Sequence, residues 1–482
     1  MRFNTTLLSA LALATLSACA NFSGISPKAT VLTPAALGLD SATGTPPAAV
    51  PALDSQWWLL FGDAQLTQLV DQALAQSPSL RVAQARLARA QAGLELVGAA
   101  GGPQVNGSVD LNRQRFPAHG MYPAPLAGNI FETGTLQASA SWELDFFGKN
   151  RAALDAALGQ ARASEADGQA AAMLLASNVV RSYFALVRIN AHIGLAQRTL
   201  AQREQAKGLV QDRVNAGLDT QLELQQSESA LPDARFQIEL LQEQRSLTLN
   251  ALAALTSQPN MALALTERAQ AAIKSIAVSN SIPIDLLGRR ADIAAARWRI
   301  EAATRDIDSA RAQFYPNINL TAFAGFSSIG FDKLLQTGSD QWGVGPAIRL
   351  PLFDSGRLRA NLRGKTADMD AAVESYNALV IQAVHEVTDQ LTSAKAITRQ
   401  QTEQSAAQIS AESAYSIAVQ RYQAGLGNYL GVLSAETAVL SQRLQGVDLT
   451  ARALDTQVQL IRALGGGYTP DTSNTLSQKS TP

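Results

Sequence analysis

The sequence predicts an internally duplicated, mainly α-helical chain that also carries membrane β-strands. Three observations support this fold class: matches between two halves of the chain, two long tracts without proline, and short segments in which apolar and polar residues alternate. Matched segments that keep their order along the chain indicate one structural unit that was duplicated and fused. Each half is therefore expected to contain the same kinds of helices and strands.

The matches between the halves occur in both strand-like and helical parts. At an offset of 213 residues, Pro103–Asn106 aligns with Pro316–Asn319. Further along, Arg213–Leu218 aligns with Arg421–Leu426 at a nearby offset, and both segments contain Ala-Gly-Leu. Each half therefore presents strands first and a helical hairpin afterwards.

The first residues resemble the signal peptide and lipid-attachment box of a bacterial lipoprotein. The apolar run Leu7–Leu16 follows Arg2 and is too short to span a bilayer. Small residues then precede Cys19, which is the only cysteine, so no disulfide can form within the chain. We predict cleavage after residue 18 and a covalent lipid on Cys19. An ordinary signal peptide with an incidental cysteine is the alternative.

Composition restricts the class of protein. The formal net charge of −1 and the 16% of charged residues argue against a partner that is a nucleic acid. Hydrophobic residues make up 46% of the chain and aromatic residues only 6%, which favours long, closely packed helices. No uninterrupted apolar run of about eighteen residues follows the signal peptide, so no transmembrane helix is expected. Any segment that crosses a membrane must then be a β-strand.

Four segments that precede the long tracts alternate between apolar and polar residues. The alternation predicts strand pairs at about 103–111 with 135–145, and at about 317–326 with 341–350. A soluble, half-buried sheet would show the same pattern. Because about eight strands are needed to close a membrane barrel, four strands require that several copies of the chain contribute.

The two tracts without proline predict long helices over residues 148–213 and 354–422. Apolar residues in both tracts recur every three or four positions, as in helices that pack side by side in a coiled coil. At about 1.5 Å per residue, each helix would reach roughly 100 Å, over three times the thickness of a membrane core. Helices of this length suit a protein that bridges a gap.

Each long tract ends at Arg-x-x-Ala-Gly-Leu and is followed by a returning helix, so each half contains a helical hairpin with a tight tip. Gly217 and Gly425 suit the left-handed position just past a helix end. Thr220 and Glu223 predict a capping box at the start of the first returning helix. Pro232 lies a few turns into that helix and is expected to bend or break it.

Several motifs resemble those of one known family. They are Trp57-Trp58-x-x-Phe61-x-Asp63-x-x-Leu66, Ser77-Pro78-Ser79-Leu80-Arg81-Val82-Ala83-x-Ala85-Arg86-Leu87, Phe314-Tyr315-Pro316-Asn317-Ile318, Leu144-Asp145-Phe146-Phe147-Gly148 and Leu350-Pro351-Leu352-Phe353. Together with both Ala-Gly-Leu tips, they resemble the TolC-like outer-membrane factors, in particular the lipidated NodT-type efflux channels. The resemblance covers nearly the whole mature chain.

The resemblance implies a homotrimer in the outer membrane of a Gram-negative bacterium, with a twelve-stranded β-barrel and a periplasmic α-barrel. It also implies that the chain serves as the outer-membrane channel of a tripartite efflux system. Such a channel passively conducts small toxic compounds or drugs from a proton-driven inner-membrane pump and a periplasmic adaptor. The channel of a type I protein secretion system is the alternative. A periplasmic adaptor lipoprotein is disfavoured because it would carry one hairpin between small soluble β-domains.

These observations divide the chain into five parts. Residues 1–18 are the lipoprotein signal peptide, and residues 19–62 are the lipidated N-terminal segment with an equatorial contact. The first repeat spans 63–275, and the second spans 276–465. Residues 466–482 form a polar C-terminal tail.

The hairpin tips carry the remaining predictions. The residues expected to contact the adaptor are Gly217, Leu218, Gly425 and Leu426. Tyr422 and Glu223 lie at nearly the same height near the tips, and the resemblance implies that a tyrosine and an acid pair there. We therefore predict that these two side chains form a gate. The competing interpretation is that Glu223 only completes the capping box.

No arrangement of residues in the sequence indicates catalysis, so no enzyme activity is expected. The three histidines, His119, His192 and His385, lie far apart and lack the spacing of metal ligands. We expect no metal and no cofactor other than the covalent lipid on Cys19. The energy for transport must then come from a partner.

Overall fold

The computed structural model describes residues 22–33, 54–258, 265, 270, 273–274 and 289–468. The predicted signal peptide, Cys19 and most of the C-terminal tail lie outside the described residues. In chain order, the helices and strands are α1 (Ala64–Gln76), α2 (Pro78–Ala100), β1 (Gln104–Arg115), β2 (Ile130–Leu144), α3 (Lys149–Asn215), α4 (Gln221–Leu255), α5 (Ala291–Ala312), β3 (Asn317–Ile329), β4 (Asp340–Arg349), α6 (Arg357–Gln423) and α7 (Tyr429–Ala463). Short 3₁₀ helices lie at Trp57–Phe61 and Phe331–Lys333.

The helices of the two hairpins match in length between the repeats. The long helices α3 and α6 contain 67 residues each, and the returning helices α4 and α7 contain 35 residues each. Both pairs begin and end at an offset of 208 residues, whereas α2 and α5 begin 213 residues apart. The difference of five residues arises in the first strand hairpin, whose second strand and connecting loop are longer.

The helix α4 is continuous through Pro232, so the predicted break does not occur. Proline removes one backbone hydrogen bond from a helix, and tertiary packing can offset that loss. Here Leu231, Ala234 and Ile238 are buried on both sides of the proline. Arg203 of α3 also donates a hydrogen bond to the carbonyl oxygen of Ala230, over 3.0 Å.

The four described strands form one antiparallel sheet in the order β1-β2-β3-β4. Each strand pairs with its sequence neighbour, and the register places Leu136 opposite both Val109 and Phe326. In β4 the apolar face is the more exposed one: Trp342 is 76% exposed and Val344 67% exposed, while Gly343 and Gly345 on the other face are half-buried. This distribution is the reverse of that in a water-soluble sheet.

The chain divides into two compact units, and each repeat contributes to both. The strand unit comprises Met1–Val31, Ala85–Glu165 and Ala295–Asn377, and the hairpin unit comprises Leu32–Gln84, Ala166–Ala294 and Ala378–Pro482. In the strand unit, Ile307, Phe314 and Leu362 form an apolar core with Phe22 and Ile25 packed against it.

The larger core of the hairpin unit gathers the tryptophan-rich motif onto the long helix. Trp57, Phe61 and Leu66 are fully buried and pack with residues of α3, α4 and α7. Asp63, within this motif, is the N-cap of α1 and accepts hydrogen bonds from two backbone amides of the first turn. The Tyr183 hydroxyl also donates to Asp63, over 2.8 Å.

A buried ion cluster lies at the start of α5 in the hairpin unit. Arg290 is 8% exposed and donates to both carboxylate oxygens of Asp292, at 3.1 and 2.8 Å. Its guanidinium also lies 2.9 Å from a Glu386 carboxylate oxygen of α6. Burial opposes the charged form of Glu386, but the hydrogen bond from Arg290 prevails and lowers the pKa of this carboxyl.

By length and composition, the described part of the chain contains one helix that could cross a membrane, which is α3. Half of its most apolar window is buried within the chain, and its residues between Leu175 and Val187 belong to the core of the hairpin unit. A core helix passes the same test of composition. Burial therefore accounts for its apolar character.

Candidate gate at the hairpin tips

Both long helices end in the same backbone motif. Gly217 and Gly425 each have a φ of +73°, which confirms the left-handed positions predicted from the sequence. At the first tip, the amide of Leu218 donates to the carbonyl oxygen of Arg213 over 2.9 Å, and the equivalent bond at the second tip is 2.8 Å. These bonds reach back five residues, as in a Schellman motif. A side chain at either glycine would strain the turn.

Four leucines are exposed at the tips, two on each hairpin. Leu218 is 65% exposed and Leu426 is 69% exposed. Leu222 and Leu430, on the first turn of each returning helix, are 63% and 59% exposed. The last two were not predicted, although the 208-residue offset aligns them. Together these four residues are called the tip leucines.

Glu223 does not pair with Tyr422, so that part of the predicted gate is wrong. Its carboxylate accepts from the backbone amide of Thr220 over 2.9 Å and also from the Thr220 hydroxyl. The Thr220 hydroxyl oxygen in turn accepts from the amide of Leu222 over 3.2 Å. These contacts complete the predicted capping box, and the hydrogen bond from the Thr220 hydroxyl lowers the pKa of Glu223.

The acid that pairs with Tyr422 is Asp219, in the loop of the first tip. The Tyr422 hydroxyl donates to an Asp219 carboxylate oxygen. Arg213 binds the same carboxylate with two hydrogen bonds, of 2.9 and 3.2 Å, and its guanidinium carbon lies 4.6 Å from the centre of the Tyr422 ring. Arg213, Asp219 and Tyr422 are called the tip latch. It joins the two hairpins of one chain.

The tip latch is shielded from water. Tyr422 is 2% exposed, and the side chains of Arg213 and Asp219 are 12% and 10% exposed. The hydrogen bond from Arg213 holds the pKa of Asp219 below its usual value, against the opposing effect of burial. Burial, and then the hydrogen bond to Asp219, raise the pKa of Tyr422. At neutral pH a carboxylate therefore accepts from a protonated phenol and a charged guanidinium.

The duplication shows why the latch is single rather than doubled. Arg421 aligns with Arg213, but the residue that aligns with Asp219 is Gly427. Without a carboxylate there, Arg421 instead donates to the carbonyl oxygen of Leu426 over 3.2 Å. The first hairpin thus supplies the ion pair, and the second supplies only the tyrosine.

Apolar packing surrounds the tip latch. Tyr422 belongs to a buried cluster with Val210, Leu224, Tyr429 and Val432, which brings residues of all four hairpin helices together. The rings of Tyr422 and Tyr429 lie 5.7 Å apart. Van der Waals contact therefore holds these helices together in addition to the polar bonds.

A second ion pair lies further along the same helices. Arg203 of α3 lies 3.2 Å from Glu436 of α7, and the Glu436 side chain is 8% exposed. Burial and the nearby Glu436 carboxylate raise the pKa of Tyr429. Glu436 aligns with Glu228 of the first hairpin, which pairs with Lys207 at 3.1 Å.

The histidines of the long helices lie beside carboxylates. His192 is 3.1 Å from Asp448, and His385 is 3.4 Å from Asp389. Among the described residues, no group of three or more histidine, cysteine, aspartate or glutamate side chains could hold a metal ion.

The segment that follows Cys19 is bound along α6 of the strand unit. The ring of Phe22 lies 5.9 Å from that of Phe314, near the start of β3. The backbone amides of Lys28 and Ala29 donate to the Asp370 carboxylate over 2.7 and 2.9 Å. These bonds lower the pKa of Asp370, with the Ala29 amide contributing most.

Comparison with known proteins decides the family. The model of the outer membrane efflux protein family matches residues 69–258 and 282–466, one segment in each repeat. The chain belongs to this family. This membership confirms the predicted resemblance to the TolC-like outer-membrane factors, and the interpretation as a periplasmic adaptor is wrong.

Individual relatives agree with this membership. This chain is 32% identical over 432 residues to the multidrug resistance outer membrane protein MdtQ of Escherichia coli O157:H7. The alignment covers 86% of this chain and 88% of MdtQ. The chain is 34% identical over 426 residues to the outer membrane protein OprJ of Pseudomonas aeruginosa PAO1, covering 87% and 88%.

Solved structures share the fold. The crystal structure of the outer membrane protein VceC from Vibrio cholerae has a TM-score of 0.81 and 36% identity, and covers 86% of this chain and all of VceC. The structure of the outer-membrane channel OprN has a TM-score of 0.82 and 28% identity, with 92% and 98% covered. The chain is therefore an outer-membrane efflux channel with a TolC-like fold.

Proposed function

We propose that three copies of this chain form a passive exit duct, which receives small toxic compounds from a proton-driven inner-membrane pump through a periplasmic adaptor. The observation that supports this proposal best is the sheet, which exposes apolar side chains along β4. Among the described residues, the outer edges of β1 and β4 pair with no further strand. A sheet of this kind suits lipid on one face and water on the other.

Closure of the barrel accounts for the trimer. In the order β1-β2-β3-β4, all neighbours are antiparallel, so β4 of one copy can pair antiparallel with β1 of the next. Three copies then supply twelve strands, which exceeds the minimum of about eight for a membrane barrel. The polar residues would line the lumen.

The tip latch acts as the gate of the duct. It joins the two hairpins of a chain through one phenol and one carboxylate, so loss of a few hydrogen bonds can separate the hairpins while the helices stay folded. Hydrogen bonds to a charged group contribute about 1.5–3 kcal/mol each. Three copies can therefore keep a tip closed and still be displaced by a partner.

The tip leucines form the contact for the adaptor. Exposed apolar side chains at the end of a helical hairpin suit a partner that presents an apolar helical surface. Because the two hairpins align, the four leucines of each chain present two similar surfaces. Gly217 and Gly425 set the backbone of these surfaces.

A lipid on Cys19 fits the position of the N-terminal segment. Cys19 lies three residues before Phe22, so its Cα is at most about 11 Å from that of Phe22. Phe22 packs on Phe314, close to the start of β3. A lipid attached to Cys19 can therefore enter the membrane beside the barrel.

The names of the relatives favour small molecules as cargo. They include multidrug resistance proteins, the pyoverdine export protein OpmQ of Pseudomonas aeruginosa and the fusaric acid resistance protein FusA of Burkholderia cepacia. Protein export by a type I secretion system remains the alternative. The sequence and fold of such channels differ little, because the inner-membrane partner selects the substrate.

Purified protein in planar bilayers tests the proposal. We expect a trimeric mass by native mass spectrometry and small ionic currents that rise in latch variants. The complete chain should also restore drug resistance to a strain that lacks its efflux channels, when the cognate adaptor and pump are supplied. A monomer that carries no current in any latch variant would contradict the proposal.

A further inference from the structure

The polar face of the sheet carries one aromatic residue near its centre, Phe323 of β3. The residues on this face of β2, β3 and β4 that surround Phe323 are otherwise polar or glycine: Gln137, Ser139, Ser141, Thr321, Gly325, Gln341, Gly343 and Gly345. A hydrogen bond of 3.1 Å between the side chains of Gln137 and Gln341 shows that both project from this face. Phe323 is 40% exposed.

The ring of Phe323 lies over Gly343 of the neighbouring strand. A Cβ atom at Gly343 would come within 2.6 Å of the Phe323 Cε1 atom and 2.9 Å of Cζ. Gly343 is directly opposite Phe323 in the register, and its lack of a side chain lets the ring lie along the sheet. The ring therefore forms part of the wall and leaves one surface open.

The duplication indicates that Phe323 is not required by the strand itself. Within the aligned strands, Asn106 corresponds to Asn319, and Ser108 corresponds to Thr321. At the next position on the same face, the first repeat has Asp110. A strand on this face can therefore carry a polar residue here, and the second repeat carries an aromatic one.

We propose that Phe323 is a contact point for aromatic and amphiphilic cargo on the wall of the barrel lumen, a proposal that rests on the channel function above. A polar lumen offers water-soluble compounds no preferred position. An exposed ring offers aromatic compounds stacking contacts and offers organic cations a favourable quadrupole. In a trimer, three such rings lie at one height and give aromatic cargo a transient residence site within the barrel.

Covering Gly343 is the purely structural role that the ring could have instead. Aromatic side chains do stabilise glycines in neighbouring strands. This role predicts effects on folding and assembly but no discrimination between permeating compounds. The test therefore measures discrimination in trimers that are already assembled.

Block of the channel current by two organic cations provides this test. Tetraphenylphosphonium and tetraethylammonium carry the same charge, but only the first is aromatic. Each is added at the barrel side of trimers in planar bilayers, so that it reaches the barrel before the tips. We expect the mean duration of each tetraphenylphosphonium block to shorten about three- to tenfold in Phe323→Thr, with an intermediate effect in Phe323→Leu. Block by tetraethylammonium should not change.

Phe326→Leu is the matched control, because Phe326 lies on the apolar face of the same strand and should not alter block. Gly343→Ala gives a second test, because its Cβ displaces the Phe323 ring. The duration of tetraphenylphosphonium block should therefore change in this variant. In a chain that also carries Phe323→Thr, Gly343→Ala should have no further effect on the block. Equal block of wild type and Phe323→Thr by tetraphenylphosphonium overturns the inference. Absence of any current from wild-type trimers and from latch variants contradicts the channel function itself.

Discussion

The Tyr422 hydroxyl donates a hydrogen bond to the Asp219 carboxylate. This bond links the end of the long helix α6 to the loop that follows the other long helix, α3. The two residues are 203 positions apart in sequence. Arg213 fixes the carboxylate from the side of the first hairpin, and the tyrosine approaches from the second. Separation of the hairpins at the tip must break this bond.

Tyr422→Phe should open the tip. The substitution removes the hydroxyl that Asp219 accepts and keeps the ring that packs in the apolar cluster. Loss of about 1.5 kcal/mol or more in each chain corresponds to about a tenfold rise in the ratio of open to closed tips. We expect higher single-channel conductance or open probability in planar bilayers.

Tyr429→Phe is the control for this prediction. Tyr429 is as deeply buried as Tyr422 and lies in the same apolar cluster, but its hydroxyl does not bind Asp219. The control should behave as the wild type. Equal currents in wild type and Tyr422→Phe would assign the closure to other contacts, such as the pair of Arg203 and Glu436.

Acidification should release the tip only well below neutral pH. The pKa of Asp219 is lowered in the folded tip, so its contribution is present above the usual carboxyl pKa and is lost as the pH falls through the lowered value. The conductance of the wild-type channel should thus stay constant from pH 7 to about 5. It should rise only when the pH falls below about 4, the usual pKa of an aspartate carboxyl. Asp219→Asn should conduct more at pH 7 and lack this rise.

Local features of the chain were predictable because they depend on neighbouring residues. Gly217 and Gly425 mark helix ends since only glycine enters the left-handed region at little cost. Thr220 and Glu223 form a capping box because they are three residues apart. The alternation of residues 135–145 assigned the faces of β2 correctly, because side chains of a strand change sides at every residue.

Contacts between distant segments were not predictable in the same way. Asp219 and Glu223 both lie near the first tip, so height alone could not decide which one meets Tyr422. The capping box decides it, since the Glu223 carboxylate already binds Thr220. Arg213, six residues before Asp219, is the sequence feature that could have indicated Asp219, because an arginine can hold a nearby carboxylate in place. The continuity of α4 through Pro232 was not predictable, because it depends on packing with other helices rather than on the proline alone.

Removal of the tip leucines should weaken adaptor binding and leave the trimer intact. Leu218→Ser together with Leu426→Ser removes exposed apolar surface and no buried contact, so stability should change by less than about 0.5 kcal/mol. Cross-linking to the adaptor in cells should fall severalfold. Leu174→Ser, at an exposed leucine of α3 away from the tips, serves as the control. Normal cross-linking in the tip variant would place the adaptor contact elsewhere.

Arg290→Met should destabilise the hairpin unit more than the double variant Arg290→Met with Glu386→Gln. The single change leaves a partly buried carboxylate without its main partner, which costs about 3–5 kcal/mol when such a pair is fully buried. Since Arg462 also lies 3.6 Å from Glu386, the actual loss should be smaller. Thermal unfolding of the trimer measures both variants. Equal melting temperatures would show that Arg290 does not stabilise the fold through Glu386.

Cys19→Ser should abolish covalent lipid without abolishing insertion. Each buried methylene of an acyl chain contributes roughly 0.8 kcal/mol to membrane binding, but the proposed barrel already anchors the trimer. Metabolic labelling with a fatty-acid probe should therefore disappear in the variant, while a fraction of the protein still enters the outer membrane. Ser17→Ala, which keeps a small residue before the cysteine, should label normally. Undiminished labelling of Cys19→Ser would assign the lipid to another residue, and complete loss of insertion would mean that the barrel cannot assemble without its anchor.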